Sequence, residues 1–249
     1  MSLETVGGQI DRPMGRTGTR VPGTGEGAME RHFHDELNQV KQKTLRLGSL
    51  VEDMVERAVT SLVDRDSKLA EETIAFDEKV DHLEVEIDGD CLRLLALHQP
   101  AAGDLRFITT AMKIITDLER MADQAVNISE RAIELNEEPQ LKPYIDIPIM
   151  SQLSQKMLRD SLDAFVRKDG EMARAVIAAD NRVDALKNQV FRELLTFMMG
   201  DTATIPRAIR LLLVSRYLER IADHATNIAE MVVFLAEGKN IRHTSQPGS

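Results

Sequence analysis

Thirteen residues from Leu118 to Glu130 recur from Leu218 to Glu230, and nine of those thirteen positions are identical, Leu, Glu, Arg, Ala, Asp, Ala, Asn, Ile and Glu. Upstream the register becomes 103, where Ala75, Asp77, Val80, Asp81 and Leu83 reappear as Ala178, Asp180, Val183, Asp184 and Leu186. A chain with this duplication folds as two copies of one unit. Each copy is about 100 residues long, enough for its own core, so the pattern is a doubled domain and not a solenoid of small repeats.

Beyond residue 30 the apolar spacing is helical, with no sustained alternation that would predict strands. Breaks fall near Asp66, at Gln99 to Gly103, across Glu138 to Pro148, at Lys168 to Gly170, at Gly200 and Asp201, and after Gly238. They delimit six expected helices, at 33–65, 68–97, 103–137, 148–168, 170–199 and 205–237. Pro206 suits the first turn of the last helix and Gly238 its C-terminal cap. The expected fold is all-α, two tandem three-helix bundles spanning 31–140 and 146–243. Residues 1–30, which carry Gly at 7, 8, 15, 18, 23, 25 and 27 with Pro13 and Pro22, are expected to be a disordered extension.

Charge narrows the function classes. The 41 acidic residues outnumber the 31 basic ones, for a formal charge of -10, which repels phosphate backbones and argues against nucleic-acid binding. A single cysteine, Cys91, excludes a disulfide framework and a cysteine-built metal site. No stretch approaches the roughly 20 apolar residues of a membrane span, and the N-terminal residues lack the apolar core of a secretory signal.

Where the acidic residues fall is more informative. At about 100° per residue, Leu118, Met121, Ala125, Ile128, Ala132 and Leu135 form the core seam of the third helix, while Glu119, Asp123, Asn127 and Glu130 share an arc almost opposite it. The sixth helix repeats the design with Glu219, Asp223, Asn227 and Glu230, so both stripes are expected to face away from their own bundles. The second and fifth helices add Asp77 with Asp81 and Asp180 with Asp184, each pair one turn apart. Stacked like charges cost a few tenths of a kcal/mol per pair, which a cation would reverse. Carboxylate and amide oxygens suit hard ions such as Mg, Mn, Ca or Fe. An acidic line is also an ordinary solvated face, and Arg120 and Arg220 stand three residues before Asp123 and Asp223. The stripes match between copies while Asp117 and Tyr217, or Gln124 and His224, have diverged.

Other motifs carry less. His224 lies well around the helix from Asp223 and has Gln124 as its counterpart, which argues against a shared metal role. His32 and His34 are expected at a helix entry. No Glu is followed by His three residues on, as in ferritin-like di-iron bundles, and neither a Gly-rich phosphate loop followed by Lys nor a Gly-x-Ser-x-Gly elbow is present. Three functions stay open on these residues: a non-enzymatic signalling adaptor, a carboxylate-bridged metalloenzyme, and a metal store. Stripes on an outward face lack the enclosed cavity that metal catalysis exploits, which favours the first.

Several segments together resemble the PhoU family, regulators of bacterial phosphate uptake. They are Arg31-His32-Phe33 with Glu36-Leu37, Gln99-Pro100 with Asp104-Leu105-Arg106, Leu118 to Asp123, Leu195 to Met199 before Thr204-Ile205-Pro206, Leu218 to Asp223, and Glu237 to His243. The resemblance implies two three-helix bundles, assembly as a homodimer, and ions (Fe, Mn, Mg, Zn or Ca) on Asp77, Asp81, Glu119, Asp123, Asp180, Asp184, Glu219 and Asp223. It implies a cytoplasmic repressor of the phosphate-starvation response, peripheral to membrane complexes. Its implied partners are a sensor histidine kinase and the ATPase subunit of the Pst phosphate transporter. The chain departs from the family pattern at Ala122 and Ala222, where many members have Gly, and at Tyr217 opposite Asp117, so the two copies need not be equivalent.

Overall fold

A computed structural model describes residues 26–238 and 241. Six long α-helices follow one another, with no strand among the described residues: α1 (Glu26–Val63), α2 (Ser67–Leu97), α3 (Ala102–Asn136), α4 (Asp146–Arg167), α5 (Gly170–Gly200) and α6 (Ile205–Glu237). Their bounds follow the sequence expectation closely, with one difference. Helix α1 begins at Glu26 and not near residue 33, which places His32 and His34 within a helix and not at its entry. The rest of the expected extension, residues 1–25, lies outside the described residues.

The duplication is visible in the turns. Arg65 and Lys168, equivalent at the 103-residue register, both adopt left-handed backbone (φ 58° and 52°) to end α1 and α4. The next residue in each copy is an aspartate N-cap. Asp66 accepts from the Leu69 N–H at 3.0 Å, and Asp169 from the Glu171 and Met172 N–H groups at 3.0 Å, satisfying donors that a helix start would leave unpaired. At the far end, Gly238 takes φ 70° and its N–H closes on Phe234 O at 2.8 Å, the left-handed cap that glycine permits. The connection of residues 98–101 in the first copy shrinks to Asp201 in the second, followed by a 3-10 turn at Thr202–Thr204.

Within each copy the third helix is central: α3 packs on α1 and α2, and α6 on α4 and α5. The predicted seam of α3, Leu118, Met121, Ala125, Ile128, Ala132 and Leu135, is fully or almost fully buried. So are its counterparts Leu218, Ile221, Ala225, Ile228, Val232 and Leu235. Each such large side chain contributes about 1.5–3 kcal/mol by leaving water.

The bundles also pack on each other, through α3 against α6 and α1 against α4. At the second contact Gly48 leaves room for Leu162, whose Cδ1 would lie 2.1 Å from a Cβ there and would have to move. Arg159 pairs with Glu52 across the same seam, and Lys41 Nζ donates to Val166 O at 3.2 Å. The 138–145 connection is tied down by Arg65, which donates to Asn136 O and Glu138 O at 2.6 Å, and by Arg210, which reaches Glu134 and Glu138 at 2.7 Å.

Candidate functional site

The acidic stripes lie at the surface, and the second helix of each bundle shares them. Glu119 and Asn127 on α3 are half-buried, and Asp123 and Glu130 are exposed. Asp77 of α2 feels the charges of both Asp81 and Asp123, and Glu119 feels Asp123, Asp81 and Glu84. The expectation that the stripe turns away from its own bundle is therefore corrected. It borders the α2–α3 groove, and the side of α3 that leaves its bundle is covered by α6, where Asp117 and Gln124 are buried. A helical wheel of one helix cannot show this, because a second bundle covers a face that a lone bundle would leave to water.

Burial and crowding of like charges shift these carboxyls upward. Asp77 is pushed up to about 6, first by burial and then by Asp81 and Asp123. Asp180 is likewise pushed to about 6 by burial, Asp223, Asp184 and Glu219. Glu119, Asp123 and Asp223 are raised for the same leading reason, loss of water around a charge. Glu84, half-buried beside Asp88 and Asp81, is raised too.

The copies differ at one position that sequence reading passed over. Lys187 of α5 donates to Asp184 Oδ1 at 3.1 Å and to Glu219 Oε1 at 2.7 Å, and both carboxylates hold its pKa above the usual lysine value. Its equivalent at the 103-residue register is Glu84. The first groove thus gathers Asp77, Asp81, Glu84, Glu119 and Asp123, while the second gathers Asp180, Asp184, Glu219 and Asp223 around a built-in ammonium. The signal was legible, since Glu84 and Lys187 stand three residues after Asp81 and Asp184, one helical turn along the same face.

The oxygen donors suit hard cations, and a cation there would offset the burial and like-charge crowding that raise these carboxyls. The fit is chemical and not yet geometric: among the described residues no three His, Cys, Asp or Glu side chains converge tightly enough to hold an ion as they stand, so binding requires rotation of exposed side chains. The two asparagines differ. Asn127 Nδ2 donates to Asp123 O at 2.8 Å along its own helix, whereas Asn227 Nδ2 reaches across to Asp117 Oδ1 at 3.3 Å and serves the seam between bundles.

That seam explains the diverged positions. His224 Nδ1 lies 2.8 Å from Asp117 Oδ1, so the histidine joins α6 to α3. Residues 117 and 224 are each other's partners, which makes their repeat equivalents Tyr217 and Gln124 the matching pair on the other side of a pseudo-twofold axis. The two divergences thus fall at positions that the antiparallel packing relates to each other.

Comparison with known proteins gives a consistent family. The PhoU domain model matches residues 44–132 and again 147–232. A phosphate-specific transport system accessory protein PhoU homolog of Aquifex aeolicus is 45% identical over 208 residues, 84% of this chain and 94% of the relative. One from Pseudomonas putida is 41% identical over 86% of this chain and 84% of its own length. Among solved structures, PhoU from Pseudomonas aeruginosa superposes with a TM-score of 0.80 at 41% identity, over 83% of this chain and 100% of that one. The phosphate transport system regulatory protein PhoU from Streptococcus pneumoniae gives 0.78 at 32% identity, over 84% and 99%.

Proposed function

We propose, from the premise that this chain belongs to the PhoU family and shares the phosphate-transport accessory role its relatives are named for, that it acts as a cation-binding adaptor. In this reading it represses the phosphate-starvation response in the cytoplasm when phosphate is plentiful. It does so by contacting both a sensor histidine kinase and the ATPase subunit of the phosphate transporter, and it carries out no reaction itself. No helix of the described residues is long and apolar enough to cross a membrane, which suits a protein that reaches membrane complexes from the side.

The observation that carries the cation part is the first groove, where burial first, and neighbouring carboxylates second, raise Asp77, Glu84, Glu119 and Asp123 beside Asp81, with no lysine among them. The residues that would hold the ion are Asp77, Asp81, Glu119 and Asp123, with Glu84 beside them. A bound divalent ion would supply the missing counter-charge and fix the spacing of α2 and α3. Its surface position suits an ion that shapes a docking face better than one that activates a substrate, since nothing there excludes water. Asp180, Asp184, Glu219 and Asp223 form the second, weaker site, a consequence of Lys187. A homodimer would present two such pairs.

Two measurements separate the parts of this reading. Tagged protein drawn from phosphate-replete cells is expected to bring down the kinase or the transporter ATPase, and repeated recovery of neither rejects the adaptor role. Elemental analysis of protein purified without chelator is expected to find metal that an Asp123→Asn, Asp223→Asn double variant loses; equal content in both rejects the cation sites.

A further inference from the structure

The duplication doubles a second feature, and it lies where the two bundles meet. Helices α3 and α6 run antiparallel: Arg210 near the start of α6 bonds Glu134 near the end of α3, and further along His224 meets Asp117. The pseudo-twofold axis relating the copies therefore passes between the two Leu-Glu-Arg-x-Ala-Asp segments. Arg120 and Arg220, equivalent residues, come to opposite sides of that axis. Both line a single cavity of about 600 Å³, together with Gln124, Asp223, His224, Thr226 and Asn227. Among the described residues neither guanidinium forms an ion pair; Arg120 acts on Glu119 and Asp123 only through its longer-range field.

Two polar atoms of this cavity's lining residues are unspent. Gln124 is only 8% exposed, and its Nε2 is committed to Arg120 O at 3.2 Å. Its Oε1 is buried with no hydrogen-bond partner, as is Thr226 Oγ1. Neither atom is open to solvent in this structure, so each lacks a partner that a polar ligand would supply once the Gln124 or Thr226 side chain turns toward the two unpaired guanidiniums. The donors define the ligand's charge: two guanidinium forks and a hydroxyl suit an oxyanion, which each arginine can take through two parallel bonds. The acceptors define its protonation. Gln124 Oε1 requires a donor, and His224, whose Nδ1 is engaged by Asp117, has its other ring nitrogen as a second acceptor in the neutral form. An oxyanion that keeps a hydroxyl matches both sets.

We infer that the cavity on the pseudo-twofold axis, formed by Arg120, Arg220, Gln124 and Thr226, binds a small protonated oxyanion of the phosphate class. Inorganic phosphate at neutral pH carries such a hydroxyl. Sulfate carries none, and a phosphate monoester largely loses its last acidic proton near pH 6. The site differs from the cation grooves in its ligand, though it shares Asp223 with the second groove and places Arg120 within the field of Glu119 and Asp123 in the first. It would couple phosphate directly to the packing of one bundle on the other.

Calorimetric titration of the full chain with inorganic phosphate, glycerol phosphate and sodium sulfate at neutral pH tests this. Saturable binding of phosphate is expected, with the other two weaker. Arg120→Gln and Arg220→Gln should each weaken it by about tenfold or more, while Arg216→Gln, an exposed arginine of α6 outside this cavity, leaves it unchanged. Gln124→Met should erase the preference over sulfate. In the unaltered protein, amide NMR shifts on adding phosphate should concentrate at residues 117–127 and 217–227, which needs no variant to fold. Absence of saturable phosphate binding, equal affinity for sulfate, indifference to both arginine substitutions, or shifts elsewhere would each overturn the inference.

Discussion

Asp77 and Asp180 set the behaviour of the grooves. Each protonates near pH 6 in the folded chain, against about 4 for an aspartate in an unfolded one. Between those values the native state holds more protons than the unfolded state, so stability falls as pH rises; the contribution is complete below about 4 and lost above about 6. Chelated protein is therefore expected to resist urea better at about pH 5 than at about pH 7.5, by roughly 1 kcal/mol once solvent screening of these half-buried groups is discounted. Saturating Mn²⁺ should flatten the difference, because a cation favours the ionised carboxylates. Stability that climbs with pH across this window would contradict the account. Lys187 gives a sharper residue-level test. Its ammonium already bridges Asp184 and Glu219, so Lys187→Glu, which recreates the first groove's Glu84, should tighten Mn²⁺ binding at the second groove by about tenfold or more as the count of acidic ligands rises. Equilibrium dialysis of the variant against the parent reads this directly, and unchanged uptake would mean that Lys187 is not what separates the two sites.

Helix-scale features divide into those one helix decides and those two helices decide. The six helices, the seam from Leu118 to Leu135 and the Gly238 cap follow from apolar spacing and local backbone chemistry, and for that reason they were legible in the sequence. The grooves were legible in part. Repetition marked Asp77, Asp81, Glu119 and Asp123, but which face of α3 stays open depends on α6, a partner about 100 residues away that no single-helix periodicity contains. Asn227 was misplaced for the same reason, since its amide follows Asp117 on the other bundle. The diverged positions held the missing information: Asp117 meets His224 across the seam, and the same antiparallel register sets their repeat equivalents Tyr217 and Gln124 opposite each other. This yields an element-scale prediction. His224→Gln alone leaves the buried Asp117 carboxylate with one fewer partner and should cost about 1–3 kcal/mol. Adding Asp117→Tyr, which copies the pair already present on the other side of the axis, should recover part of the loss, with a coupling of about 1 kcal/mol or more between the two positions. Denaturant titrations of the parent, both single variants and the double variant measure it. Strict additivity would show that the two residues are not partners.

At the scale of the whole chain, two bundles with separate cores could behave as independent domains, yet their contacts argue otherwise. Helices α3 and α6 are the central helix of each bundle and also the main contact between them, so the residues that hold each core together sit on the same rods that hold the bundles together. The second contact is also close, since a Cβ at position 48 of α1 would force Leu162 of α4 to move. Loosening one bundle would strip α3 or α6 of its partner, exposing Gln124 and Asp117 or the faces around Tyr217 and His224. Unfolding should therefore be one cooperative transition, despite the duplication. The two tyrosines allow the check without labels. Tyr144 lies in the connection between bundles and Tyr217 is packed against the core from α6, and with no tryptophan in the chain their near-ultraviolet signal reports the junction alone. That signal and the far-ultraviolet helical signal should fall together along a urea gradient. A tyrosine transition that clearly precedes the helical one would mean that the bundles part before they melt, and the cavity between Arg120 and Arg220 would then open without loss of either core.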